Sequence, residues 1–206
     1  GGSWPSSTRL ASLSPVVGCH MRSDVEPIQR RRVQPAAKEV TSLKVIAIGD
    51  AGVGKTSLVK AFCGEGAFSS EYEPTVGADF RVKNLTHAGK EFRVNIWDAS
   101  GDPKFLEVRN EFYKEAQGVL LVFDVTSRKS FQELDKWMDE LAKYNQGADS
   151  QTVLVGAKIE LGPRIVPEQT AREWAKGRGL PYFEVSAASG KNVEIAFKEL
   201  ASRLGR

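Results

Sequence analysis

From Leu43 onward, short apolar runs alternate with amphipathic stretches. Val45-Ile46-Ala47-Ile48 is a β-prone run ending at Gly49-Asp50, and a glycine-rich turn then leads into a helical stretch over Thr56–Cys63. Two further strands are predicted near Asp79–Leu85 and Glu91–Trp97, followed by a polar, helix-capable stretch over Pro103–Glu115. Val119-Leu120-Leu121-Val122-Phe123 is continuously apolar, as a strand buried on both faces must be. Phe131, Leu134, Trp137, Met138 and Leu141 then fall at helical spacing. Thr152–Val155 reads as a buried strand and Pro167–Lys176 as a helix opened by proline. Tyr182–Val185 is a last strand and Val193–Leu204 a last helix. Strands alternating with helices predict an α/β fold, with a mostly parallel six-stranded sheet covered by helices on both faces.

Residues 1–40 lack any sustained apolar period and are rich in Ser, Pro and Arg, so a disordered basic tail is expected there, with the folded domain over 41–206. Charge sharpens the boundary. The chain holds 29 basic and 26 acidic side chains; six and three of these lie in the first forty residues, which leaves 23 of each in the rest. The basicity belongs to the tail, around Arg30-Arg31-Arg32, and the neutral body argues against a nucleic-acid role. The sequence begins with Gly, and Met21 is a candidate internal start. No run of about 18 apolar residues exists to span a membrane. Cys19 and Cys63 suit no metal or disulfide pattern, which fits two unpaired thiols in a reducing compartment.

The chemistry begins at Gly49-Asp50-Ala51-Gly52-Val53-Gly54-Lys55-Thr56, a match to G-x-x-x-x-G-K-[ST] lying between a strand and a helix. Backbone N–H groups can approach phosphates only where side chains are absent, and the helix N-terminus adds a positive dipole. The binding segment is therefore read as Asp50, Ala51, Gly52, Val53, Gly54, Lys55, Thr56 and Ser57. Lys55 supplies a cation for the β- and γ-phosphates, and the Thr56 hydroxyl can ligate magnesium. Such a loop alone does not choose among ATPases, kinases and GTPases.

Trp97-Asp98-Ala99-Ser100-Gly101 resembles the DxxG element of Ras-superfamily small GTPases. Phe68-Ser69-Ser70-Glu71-Tyr72-Glu73-Pro74-Thr75-Val76-Gly77-Ala78-Asp79-Phe80 is similar to the first switch of Rab proteins. The resemblance covers residues 43–204 and implies a small G domain of the P-loop NTPase class that binds GTP or GDP with Mg2+. By it, Phe68 would lie against the nucleotide, Thr75 would ligate magnesium and sense the γ-phosphate, and Asp98 would hold the ion through water. Gly101 would offer its N–H to the γ-phosphate. Glu107-Val108-Arg109-Asn110-Glu111-Phe112-Tyr113-Lys114, with Gln117-Gly118-Val119-Leu120, resembles the Rab-like RJL subfamily, whose animal members carry a J domain. The sequence stops at Arg206 without that domain's His-Pro-Asp signature and without a C-terminal cysteine for prenylation, so no lipid anchor is expected.

Several positions depart from the family pattern. Asp102 stands where a glutamine orients the attacking water, and an ionised carboxylate there opposes the charge on the phosphoryl oxygens. Slow hydrolysis is the expectation, with Lys55, Thr75, Gly101 and Asp102 as the catalytic set. The guanine-reading N-K-x-D appears as Ala157-Lys158-Ile159-Glu160. Lys158 can still lie along a purine and Glu160 keeps a carboxylate, but Ala157 loses an amide. Ser186, Ala187 and Ala188 form the last base loop, with the Ala187 N–H toward the guanine O6. The expectation is a monomeric cytoplasmic GTP/GDP switch, with nuclear or ciliary-base association as the subfamily's hint. It would have effectors, an exchange factor and an arginine-donating GAP as partners. The rival reading is a non-hydrolysing scaffold with weakened guanine preference.

Overall fold

A computed structural model describes residues 40–145 and 149–205. The expectations for residues 1–39 lie outside these described residues. The first strand, β1, covers Val40–Ile48 and so takes in the last residue assigned to the tail. It is followed by α1 (Lys55–Cys63), β2 (Ala78–His87), β3 (Lys90–Ala99), a 3₁₀ turn (Pro103–Phe105) and α2 (Leu106–Tyr113). Then come β4 (Gly118–Asp124), α3 (Arg128–Gln132), α4 (Leu134–Tyr144), β5 (Gln151–Ala157), α5 (Glu168–Lys176), β6 (Tyr182–Glu184) and α6 (Val193–Leu204).

The six strands form one sheet in the order β2-β3-β1-β4-β5-β6. The neighbours from β3 to β6 run parallel, while β2 pairs antiparallel with β3. The reversal follows from the connection: Ala88 and Gly89 form a tight turn with φ of 50° and 76°, too short for a crossover. Each face of the sheet carries its own core. One packs Leu43, Val45 and Ala47 of β1 beneath α1 and α6, where the Phe62 and Phe197 rings stack 3.6 Å apart. Burying a side chain of that size stabilises the fold by about 2 kcal/mol. The other packs Ile46 and Ile48 of the same strand beneath α2, α4 and α5, through Tyr113, Leu134, Trp137 and Ala171. Strand β4 lies between the two and is buried along its whole length, as its unbroken apolar run requires.

Several helices differ from expectation. The stretch over Pro103–Glu115 is divided into the 3₁₀ turn and a helix that stops at Tyr113. Lys114 turns to an extended conformation (ψ 127°) and Glu115 to φ 60°, neither compatible with continuing the helix. The apolar period through Phe131–Leu141 spans a break at Glu133, whose ψ of −5° ends α3 before α4 starts. Pro167 precedes α5 as its N-cap residue, so that helix begins at Glu168.

Candidate functional site

The C-terminal ends of β1, β3, β4 and β5 open on the same edge of the sheet, the usual place for a ligand in an open α/β fold. At the end of β1 the chain turns at Gly49, φ 138°, where a Cβ would stand 2.1 Å from the Val122 carbonyl oxygen. Only glycine can make that turn so close to β4. The loop then climbs into α1 through Gly54, the helix N-cap. Val53 is buried in the core, while Ala51 and Gly52 are exposed. Lys55 folds back into the loop, and its Nζ donates to the carbonyls of Gly49 (2.7 Å) and Asp50 (2.8 Å). Burial lowers its pKa to about 8, against the pull of Asp98 and Asp50. An anion placed at the loop would restore what burial removes from this ammonium.

Three oxygen-bearing side chains meet beside it, from α1, from the irregular segment 65–77 and from β3. Thr56 Oγ1 lies 3.0 Å from Thr75 Oγ1 and donates to Asp98 Oδ2 at 2.5 Å. Asp98 is fully buried, and its Oδ1 has no hydrogen-bond partner among the described residues. Burial raises the pKa of this carboxyl, with the Thr56 hydrogen bond and the Lys55 charge opposing. Two hydroxyls and a buried carboxylate with a spare oxygen fit a small hard divalent cation that shares its shell with phosphate.

Gly101 closes the site from the other side. A Cβ there would stand 2.3 Å from the Ala51 nitrogen and 2.5 Å from the Gly49 oxygen, so the backbone of this segment lies directly on the phosphate loop. Next to it, Asp102 caps the 3₁₀ turn. Its carboxylate accepts from the Lys104 N–H (3.0 Å) and pairs with the Lys104 ammonium (2.9 Å), and these bonds hold its pKa below the ordinary range. The negative charge expected to face a phosphoryl group is thus partly neutralised by its neighbour.

The segments expected to read a base are more sparsely tied. Lys158, at φ 66°, reaches across to the phosphate loop, where its Nζ donates to the Gly52 carbonyl (2.6 Å) and pairs with Asp124 (2.8 Å). Ala157 is buried beneath it. Ser186 is buried and its Oγ accepts from the Ser189 N–H at 3.1 Å, which shapes the turn carrying Ala187 and the exposed Ala188. Ser57 lies on the first turn of α1. Phe68 and Glu160 are exposed, and neither is joined to the hydrogen-bonded cluster.

A group of residues that the sequence did not single out connects these parts. Trp137 Nε1 donates to Asp50 Oδ1 at 2.7 Å, and the buried Arg109 guanidinium stacks on the Trp137 ring at 4.6 Å. Arg109 makes a two-pronged bond to Glu140 (2.6 and 3.0 Å) and donates to the Ser100 carbonyl (2.7 Å) and the Asp102 carbonyl (3.3 Å). Burial works against the Arg109 charge, and the Glu140 bonds outweigh it, so its pKa is raised. The helical spacing of Trp137 marks it only as core. The one local signal is that Arg109 and Tyr113 are four apart and Trp137 and Glu140 three apart, which puts each pair on one helix face.

Residues 44–206 match the Ras family. Among relatives, the DnaJ homolog subfamily C member 27 of Danio rerio is 40% identical over 183 residues, covering 86% of this chain and 65% of that protein. The Ras-related protein Rab-18 of Lymnaea stagnalis is 38% identical over 165 residues, covering 80% of this chain and 81% of its own length. The Ras-related protein Rab7 of Pisum sativum is 40% identical over 168 residues, with 78% and 81% covered. The chain therefore spans just under two thirds of the first of these relatives. Among the described residues no helix is long and apolar enough to cross a membrane.

Proposed function

This chain is a Rab-like member of the Ras family of small GTPases, and we propose that it binds GTP or GDP with Mg2+ and hydrolyses GTP slowly. The observation that carries this reading is the convergence of Thr56, Thr75 and Asp98 beside a buried lysine, with one oxygen of Asp98 unpartnered among the described residues. Backbone N–H groups of Asp50–Ser57 would hold the phosphates, and Lys55 would turn its ammonium from the loop carbonyls toward the β- and γ-oxygens. Thr56 and Thr75 would supply hydroxyl oxygens to the cation and Asp98 a carboxylate behind its water. When bound, Mg2+ neutralises charge on the phosphates and orients them. Gly101 would direct its N–H at the terminal phosphate, so that Thr75 and Gly101 together report its presence to effectors. An exchange factor and a GAP would complete the cycle.

On the base side, Lys158 would lie against the purine, Glu160 would face the guanine N1 and N2 donors, and the Ala187 N–H the O6. Phe68 would close over the nucleotide, with Ser186 and Ala188 framing the loop. Identifying the nucleotide that co-purifies, then measuring GTP and ATP binding by calorimetry with and without Mg2+, tests the reading. Tighter binding of ATP, or no effect of the ion, overturns it.

A second reading, a scaffold that binds nucleotide without turnover, is favoured by Asp102. Its carboxylate is engaged as a cap with Lys104 and offers no amide to orient water. Asp102→Gln is expected to raise single-turnover phosphate release several-fold; equal rates in parent and variant would show that this position does not limit hydrolysis.

A further inference from the structure

Several carboxylates stand around the loop proposed to hold phosphates, where negative charge opposes a bound anion. Asp98 is assigned to the cation, Asp102 pairs with Lys104 (2.9 Å) and Asp124 with Lys158 (2.8 Å). Asp50 is different. It belongs to the loop itself, between Gly49 and Ala51, and its charge reaches the Lys55 ammonium, whose pKa it pulls upward against burial. Among the described residues Asp50 has no ion pair; its Oδ1 accepts instead from the indole Nε1 of Trp137 at 2.7 Å. The indole is a donor with no charge of its own. Trp137 belongs to the core beneath α2, α4 and α5, on the sheet face opposite α1. The Arg109 guanidinium stacks on its ring at 4.6 Å and is held in turn by Glu140 and the Ser100 carbonyl, so the indole is fixed in place. The bond draws the Asp50 carboxylate toward α4 and not toward the N-terminus of α1, where the phosphates are proposed to sit.

We propose that Trp137 is a positioning residue that holds the Asp50 carboxylate clear of the polyphosphate, so that an acidic residue can sit in an anion-binding loop. The proposal rests on the nucleotide-binding reading above. It goes beyond that reading in giving a helix on the far face of the sheet control over the charge that the loop presents.

A double-mutant cycle on the full chain tests it, with GDP and a non-hydrolysable GTP analogue titrated by calorimetry in the presence of Mg2+. Trp137→Phe should weaken both nucleotides by about tenfold, as a released carboxylate turns toward the phosphates. The same substitution in an Asp50→Asn background should cost less than about twofold, because an amide accepts the bond but carries no charge to release. The tenfold loss should also shrink in about 1 M salt, where the screening length falls to about 3 Å. Should Trp137→Phe fail to fold, benzothienylalanine at position 137, which keeps the shape of the ring and lacks the N–H, runs the same cycle. No loss at all, a loss of equal size in both backgrounds, or one that salt leaves untouched overturns the role of Trp137 alone and leaves it a packing residue. Parent protein that takes up neither nucleotide overturns the underlying reading and this role with it.

Discussion

The phosphate side and the base side of the site are built from different material. On the proposed phosphate side the groups are backbone amides, a buried lysine bonded to the Gly49 and Asp50 carbonyls, and a buried carboxylate that accepts from Thr56. On the proposed base side, beside the Ala187 N–H and the braced Lys158, they include the exposed side chains of Glu160 and Phe68, for which the described residues show no hydrogen bond or ion pair. A site made of backbone tolerates little change, because altering it means refolding a loop. A site made of side chains can lose one contact at a time, as the alanine at 157 illustrates. The contrast predicts firm grip on a polyphosphate and loose discrimination of the purine.

The most severe test is Lys55→Ala, which removes the only cation built into the loop itself. Affinity for GTP and ATP should both fall by about a hundredfold or more in calorimetry, since truncating a buried hydrogen-bonded charge is among the costliest single changes. Unchanged binding would mean that the backbone alone holds the phosphates. Lys158→Ala comes next. If this lysine chiefly braces the phosphate loop through Gly52 and Asp124, both nucleotides should weaken equally, by about tenfold; a loss confined to GTP would return the residue to the base side. The smallest effect belongs to Ala157→Asn. It should leave ATP binding alone and improve GTP over ATP by up to about tenfold, measured as the ratio of the two affinities. A fall in both would show that buried position 157 has no room for an amide.

The elements around the phosphate loop were legible because their determinants are local: an apolar run, a glycine turn, a lysine and a helix in unbroken succession. The sheet's two-faced burial could be read from Val119–Phe123 for the same reason. The direction of β2 could not, since Ala88-Gly89 is not one of the dipeptides that announce a hairpin. The break at Glu133 was hidden by a hydrophobic spacing that continues across it. Thr75 and Asp98 came from resemblance, and their meeting at Thr56 is a fact of three-dimensional packing. The Arg109–Glu140 and Asp50–Trp137 pairs are separated by 31 and 87 positions, and nothing in either neighbourhood names its partner.

One consequence of the Lys158 geometry reaches past recognition. Its backbone is wound in the left-handed sense and its stem bridges the turn after β5 to the turn after β1, as a tie beam joins two walls. The residues on either side of such a beam can drift without slackening the joint. On the proposed reading, contacts to the heterocycle could then be lost one at a time while the brace between the two turns stays in place.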